Sequence, residues 1–236
     1  MEFLGEVAAW LVDPANWSGR NGIAVRGLEH LWISAVALVI GVAIGLPLGL
    51  FIGHTGRGSF VAVSIANIGR AVPSLGLLGL AFLLLLPLGL GVGPLPAILA
   101  LAALAIPPVV VNTYAGLRDV DRELIEAARG MGMREVQVLT RVEMPIALPV
   151  ILAGVRTSAV QVVATATLAA VVGGGTLGEL IIIGFNTGDE VQVFGAALLV
   201  AALSITTELV FGALQRAGTS PGLRSRADQP GMQLPA

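Results

Sequence analysis

The sequence contains no cysteine and no lysine, and it has little charge of either sign. Without cysteine, disulfide bonds and thiolate metal sites are excluded. Without lysine, the chain lacks the phosphate-binding residue of a P-loop and cannot itself be an NTPase of that type. Only 12% of the 236 residues are charged, and 56% are hydrophobic. Because a soluble domain is usually about 25% charged, we infer that the bilayer is the main solvent of this chain.

The side chains needed for catalysis or metal binding are also scarce. The two histidines, His30 and His54, flank the first hydrophobic run on opposite sides, so they cannot share one metal site within that run. No H-E-x-x-H pattern and no pairing of a nucleophile with a base is found. We therefore expect no catalytic site, no metal and no cofactor on this chain. We also expect no nucleic-acid partner.

Long uncharged runs predict an all-α membrane protein, a polytopic helical bundle with about five transmembrane helices. A membrane-spanning helix needs about 20 apolar residues. The uncharged run 71–117 is too long for one helix, and glycine and proline break it at 89–96. The predicted spans are 31–53, 61–88, 95–114, 146–172 and 191–214.

The remaining segments are assigned by their composition. Residues 1–26 are predicted to form an extracytoplasmic segment with an amphipathic helix on the membrane surface. The apolar part of 173–190 is too short to cross, which favours a re-entrant or interfacial segment. Residues 215–236 are polar and rich in proline and glycine, so we predict a disordered tail. The membrane domain then covers 27–214.

Arginine placement predicts the orientation of the chain. Loops rich in Arg and Lys usually face the cytoplasm. The second and fourth loops have no arginine. Arginines in the first loop, the third loop and the tail are Arg57, Arg118, Arg122, Arg129, Arg134, Arg141, Arg216, Arg224 and Arg226. This distribution places the N-terminus outside and the C-terminus in the cytoplasm, although Arg20 and Arg26 oppose it mildly.

The third loop, predicted to be cytoplasmic, gathers eleven charged residues between 118 and 143. Its first half has a helical pattern, with Leu124, Ala127, Ala128 and Met131 on one small apolar face. Gly130 and Gly132 end that helix, and a second short helix is predicted over 134–142. Pro145 can then begin the fourth span, since proline is tolerated in a first helical turn. The short amphipathic helix in the first half of the loop has two possible roles. It docks into a groove of another protein, or it is a solvated connector between two spans.

The loop resembles the EAA motif of binding-protein-dependent ABC importer permeases. The matching positions are Glu126, Ala127 and Ala128, then Gly132, then Val142, Glu143, Met144 and Pro145. Val142 and Met144 replace the usual Ile and Leu. The resemblance implies a fold like that of the type I ABC importer permeases and a coupling helix over 126–132 that sits in a cleft of an ATPase subunit. It implies an ATPase dimer that holds ATP and Mg, a second permease copy or a paralogous permease, and a separate solute-binding protein.

Several longer stretches are similar to one branch of that family, the osmoprotectant permeases. These are "EHLWISAVALVIGVAIGLPLG", "ANIGRAVPSLGLLGL", "VNTYAGL" and "AGVRTSAVQVVATATLAAVVGGGTLGELI". The resemblance implies import of glycine betaine, choline, carnitine and related compatible solutes. An amino-acid permease of the methionine type is the alternative, and an ion-driven secondary transporter is a more distant one.

Three charged residues within or beside the apolar segments are candidates for the translocation path. Arg156 in the fourth span should face the bundle interior or a water-filled path, with Glu179 or Glu208 as its partner. The alternative is a structural ion pair between helices. Quaternary ammonium ligands are typically held by aromatic cages, and no cage can be drawn here. We therefore expect high-affinity recognition to reside on the separate binding protein.

Overall fold

The computed structural model describes residues 2–58, 60, 64 and 71–218, and in these residues all regular structure is helical. The α-helices are α1 Glu2–Val12, α2 Pro14–Trp17, α3 Ile23–Thr55, α4 Ser74–Leu85, α5 Pro94–Arg118, α6 Arg122–Gly130, α7 Glu135–Val138, α8 Met144–Thr165, α9 Leu177–Thr187 and α10 Glu190–Gly218. Two 3₁₀ segments, Leu86–Leu88 and Ala166–Val172, follow α4 and α8, and one π-helical turn, Leu139–Glu143, precedes α8. The all-α prediction is confirmed.

Within the residues that the structure describes, four helical runs are long and apolar enough to cross a membrane: α3, α5, the continuous run Glu135–Val172 and α10. They confirm the first, third, fourth and fifth predicted spans. The second predicted span, 61–88, lies partly outside the described residues. Its described C-terminal part forms α4 and the 3₁₀ turn after it.

The helices extend past the boundaries predicted from hydrophobicity. Helix α3 begins at Ile23, before the predicted domain boundary at 27, and α10 continues to Gly218, beyond the predicted start of the tail at 215. Charged residues end an apolar window but do not end a helix, which explains both differences. The rest of the predicted tail, 219–236, lies outside the described residues.

Helices α3 and α5 pack closely because small residues line their contact. Glycines in α3 recur every fourth residue, at Gly41, Gly45, Gly49 and Gly53, and face Ala105, Val109, Thr113 and Leu117 of α5 in turn. A Cβ atom at Gly49 would lie 2.6 Å from the Cβ of Thr113. Small residues allow this approach, so these glycines serve the packing of α3 against α5.

The main core lies where α3, α5 and α8 meet. Ile33, Ala105 and Val162 are almost completely buried in it. His30 is fully buried beside it, and its Nε2 lies 2.8 Å from the carbonyl oxygen of Val163. His30 therefore joins α3 to α8.

The N-terminal helix α1 packs against α10. Trp10 covers Gly195, where a Cβ atom would lie 2.6 Å from the indole ring. The rings of Phe3 and Phe194 meet edge to face at 5.5 Å. The predicted helix is present, and its aromatic residues contact this span. Helix α9 has 11 residues, about 16 Å at 1.5 Å per residue, so it is too short to cross the bilayer.

Candidate functional site: the loop between α5 and α8

Helix α6 has a defined start and a defined end. Asp121 caps its N-terminus by accepting a hydrogen bond from the Glu123 N–H at 2.9 Å. At the C-terminus, the Met133 N–H donates to Ala128 O and the Gly132 N–H donates to Arg129 O, at 3.2 and 2.9 Å. This Schellman pattern needs a left-handed residue, and Gly132 provides it with φ +80°.

The apolar face predicted for α6 divides into a buried and an exposed part. Ala128 is 2% exposed and packs against the protein. Leu124 and Met131 are 50% and 77% exposed, and Ala127 between them is exposed. The three positions i, i+3 and i+7 share one face of the helix. We call Leu124, Ala127 and Met131 the exposed stripe.

Polar side-chain contacts connect the end of α6 to the first span. The Arg129 guanidinium donates two hydrogen bonds of 2.9 Å to the Glu135 carboxylate, and these bonds raise the pKa of Arg129 above its usual value. Glu135 Oε2 lies 3.4 Å from His54 Nε2. His54 Nδ1 lies 2.5 Å from Glu143 Oε2. We call these four residues the loop network.

Glu143 anchors this network inside the protein. The residue is 3% exposed and ends the π-helical turn. The turn comes immediately before the first helical turn of α8, where Pro145 lacks an N–H and cannot make the usual helical hydrogen bond. A π-turn accommodates such an interruption. As a result, the helical run continues from α7 into α8, whereas the sequence predicted that the fourth span starts near Pro145.

The other face of α6 borders a cavity of about 300 Å³ between the ends of α3 and α5. Arg118, Arg122 and Arg129 line it together with Glu126 and Glu143. Glu126 is exposed, but it lies on the cavity side of the helix and not on the exposed stripe. Gly130 ends α6 with open space around it.

The three path candidates do not form one site. Arg156 of α8 pairs with Glu208 of α10 and donates a hydrogen bond of 3.2 Å to Gln215. The paired side chains are 36% and 41% exposed. Glu179 instead lies 4.0 Å from Arg26, which pairs with Glu29 at 2.7 Å. Of the two partners proposed for Arg156, the structure shows Glu208.

Sequence reasoning did not find the loop network or a groove that is lined in part by a stripe of polar side chains. The groove lies between α5 and α8 and includes Asn112, Thr157, Gln161 and Thr165. The spacing of 157, 161 and 165 was a usable signal, because residues four apart lie on one helical face. No group of three His, Asp or Glu side chains within the described residues could hold a metal ion.

These spans and the capped loop define the membrane-spanning subunit of a transport system. The chain belongs to the family of binding-protein-dependent transport system inner membrane components, whose model matches residues 45–218. It is thus a multi-pass inner membrane protein without enzymatic activity of its own. The system to which it belongs includes an ATPase, which binds the ATP, and a binding protein.

Curated relatives and solved structures agree with this assignment. The chain is 39% identical to the glycine betaine/carnitine/choline transport system permease protein of Bacillus subtilis, over 83% of this chain and 88% of the relative. It is 36% identical to an osmoprotectant import permease protein of Salmonella typhimurium, over 91% and 98%. A chain of the inward-facing MetNI methionine ABC transporter matches with a TM-score of 0.74 and 26% identity, over 84% and 97%.

Proposed function

We propose that this chain is the permease subunit of an ATP-driven importer of glycine betaine, choline, carnitine and similar compatible solutes. The support is the 39% identity to a permease with that cargo over most of both chains. Similarity to the methionine transporter is 26% in sequence, so it bears on the fold more than on the solute. The spans supply the path, and the partner ATPase supplies the energy.

The exposed stripe is the docking surface for the ATPase. Leu124 and Met131 are large, exposed apolar side chains in a loop that holds eleven charged residues. An amphipathic helix with such a face fits a hydrophobic groove on a partner protein. The stripe faces away from the cavity, and the caps of α6 keep the helix intact without the partner. This surface is the single observation that carries the coupling role of 126–132.

The assembly has two ATPase subunits, a second permease copy or a paralogous permease, and a separate solute-binding protein. Arg57 and the third-loop arginines support a cytoplasmic position for α6, with the N-terminus outside and the C-terminus inside. Arg156 and Glu208 pair across α8 and α10, and Glu179 lies near Arg26. We therefore assign these three residues to contacts that stabilise the helix bundle and not to the lining of the translocation path.

Reconstitution tests the cargo. Proteoliposomes would contain the permease, its ATPase and its binding protein, and ATP-dependent uptake of labelled betaine, choline, carnitine and methionine would be measured. We expect uptake of at least one quaternary ammonium solute and none of methionine. Uptake of methionine alone would overturn the proposed cargo but not the family assignment. Uptake without ATP would favour a secondary transporter.

A further inference from the structure

A groove of about 700 Å³, with both polar and apolar lining residues, lies between α5 and the C-terminal half of α8. Thr157, Gln161 and Thr165 form one stripe on α8, and Asn112 faces the same space from α5. Ser74, at the start of α4, borders one end. Polar side chains within a membrane span are costly unless they have a role or a partner. This stripe is therefore the strongest signal of function within the spans.

The backbone of α5 adds polarity to the same groove. Pro107 and Pro108 stand side by side near the middle of the helix, and both line the groove. A proline has no N–H, so Ala103 O and Leu104 O lose their usual helical donors. Leu104 also lines the groove. In a membrane, irregular helix backbone is tolerated where it is buried in protein or borders a water-filled space.

The groove is richer in hydrogen-bond acceptors than in donors. Thr157 and Thr165 donate their hydroxyl hydrogens to Ala153 O and Gln161 O of their own helix. Asn112 donates its amide to Pro108 O at 2.8 Å. These side chains keep oxygen lone pairs for a ligand. The Gln161 amide, half-buried, has no hydrogen-bond partner within 2–58 and 71–218 and can donate or accept.

The groove also lacks full charges. None of its described lining residues is Asp, Glu, Arg or Lys, and its walls include Val72, Leu104 and Val111. A compact ammonium is strongly hydrated, and the few neutral oxygens here replace that hydration only in part because no carboxylate is among them. A quaternary ammonium spreads its charge over methyl groups and has no N–H that would need an acceptor. Oxygen dipoles and apolar walls match such a group.

We propose that this groove is the solute site of the translocation path and that it accepts small quaternary ammonium compounds. Acceptor oxygens of Asn112, Thr157 and Thr165 surround the cationic head, and the Gln161 amide donates to a carboxylate or hydroxyl of the solute. The proposal rests on the proposed import function and adds the site within the permease. It differs from the path candidates Arg156, Glu179 and Glu208, none of which lines the groove.

Cysteine labelling tests the site, because the chain has no cysteine of its own. Gln161→Cys would be placed in the permease–ATPase complex and treated with methanethiosulfonates that carry a trimethylammonium or a sulfonate group. After normalisation to a free thiol, we expect the cationic reagent to react about ten-fold faster, equivalent to about 1.4 kcal/mol. Betaine or choline at millimolar concentration should slow that reaction. Arg57→Cys, in the exposed turn after α3, should show neither effect.

Three outcomes would overturn the proposal. They are equal normalised rates with both reagents, no slowing by the solutes, and spontaneous cross-linking between two Gln161→Cys chains, which would make the groove a contact between copies. ATP-dependent uptake by the unsubstituted complex is measured first. Absence of quaternary ammonium uptake there would overturn the proposed cargo, whereas normal uptake without solute protection of Gln161→Cys would overturn only this site.

A conservative pair of substitutions gives a second readout. Thr157→Val keeps the shape of the side chain and removes its oxygen, and Thr157→Ser restores it. We expect Thr157→Val to lower the uptake rate about five-fold while ATPase binding stays unchanged, and Thr157→Ser to recover most of the rate. Equal uptake by both variants would contradict a role for this acceptor.

Discussion

Gly132 illustrates how one backbone conformation shapes the coupling loop. The residue has φ +80°, and a Cβ atom there would meet nothing within 4 Å. Glycine is therefore required by the turn and not by crowding within this chain. The sequence predicts that Gly130 and Gly132 end this helix. The structure gives the reason for Gly132, because any side chain would strain the left-handed backbone conformation there.

Gly132→Val should disturb the end of α6, because β-branched residues avoid the left-handed region. We expect a loss of about 1–2 kcal/mol in local stability, seen as faster amide exchange in 122–133, and a reduced uptake rate at normal membrane abundance. Gly130→Ala is the matched control, since Gly130 is in the helix with open space around it. Equal exchange and uptake in the two variants would argue against the capping role.

Glu143 is expected to contribute to the stability of the protein through its buried contact with His54. Glu143→Ala removes the partner of His54 within a buried contact, which costs about 1–3 kcal/mol. Thermal unfolding of the purified complex should show a lower Tm. Glu126→Ala, from the same loop but exposed, should change stability by less than about 0.5 kcal/mol. A Tm for Glu143→Ala equal to that of Glu126→Ala would show that the loop network contributes little.

At the level of helices, the contact between α3 and α5 depends on glycine. Gly49→Leu would force a side chain into the space of Thr113, and overpacking of this kind costs about 1–3 kcal/mol. We expect lower thermal stability and less folded protein in the membrane. Gly27→Ala in the same helix meets nothing within 4 Å and should be neutral or slightly stabilising. Equal unfolding temperatures for Gly49→Leu and Gly27→Ala would contradict the dependence of this contact on glycine.

The sequence predicts those features of the helices that depend on residues close together in the chain. Runs of apolar residues gave the spans, and the capping glycine gave the end of α6. The pairing of Arg156 with Glu208, 52 positions apart, is not local, and Glu179 was an equally reasonable partner until the helices were placed. The groove was missed for the same reason, since its two sides come from α5 and α8.

For the whole molecule, the orientation in the membrane remains a prediction from the arginine distribution. Val92 and Val136 are 73% and 71% exposed, and they lie in segments predicted to be on opposite sides. Single cysteines at these positions would be treated with an impermeant thiol reagent on intact cells. We expect Val92→Cys to be labelled and Val136→Cys to be labelled only after the cells are opened. The reverse pattern would invert the proposed topology.

The coupling of the exposed stripe to the ATPase is the central claim, and Met131→Asp tests it most directly. Met131 is 77% exposed, so the substitution should leave the fold intact while placing a charge in the docking groove. Arg57→Asp is the control, an exposed residue in another loop predicted to be cytoplasmic.

The measurement is ATP-dependent solute uptake beside the amount of ATPase that co-purifies, at equal permease abundance. For Met131→Asp we predict that both fall at least about ten-fold, equivalent to about 1.4 kcal/mol, and that both remain normal for Arg57→Asp. Wild-type uptake and a full complement of ATPase in Met131→Asp would contradict the account.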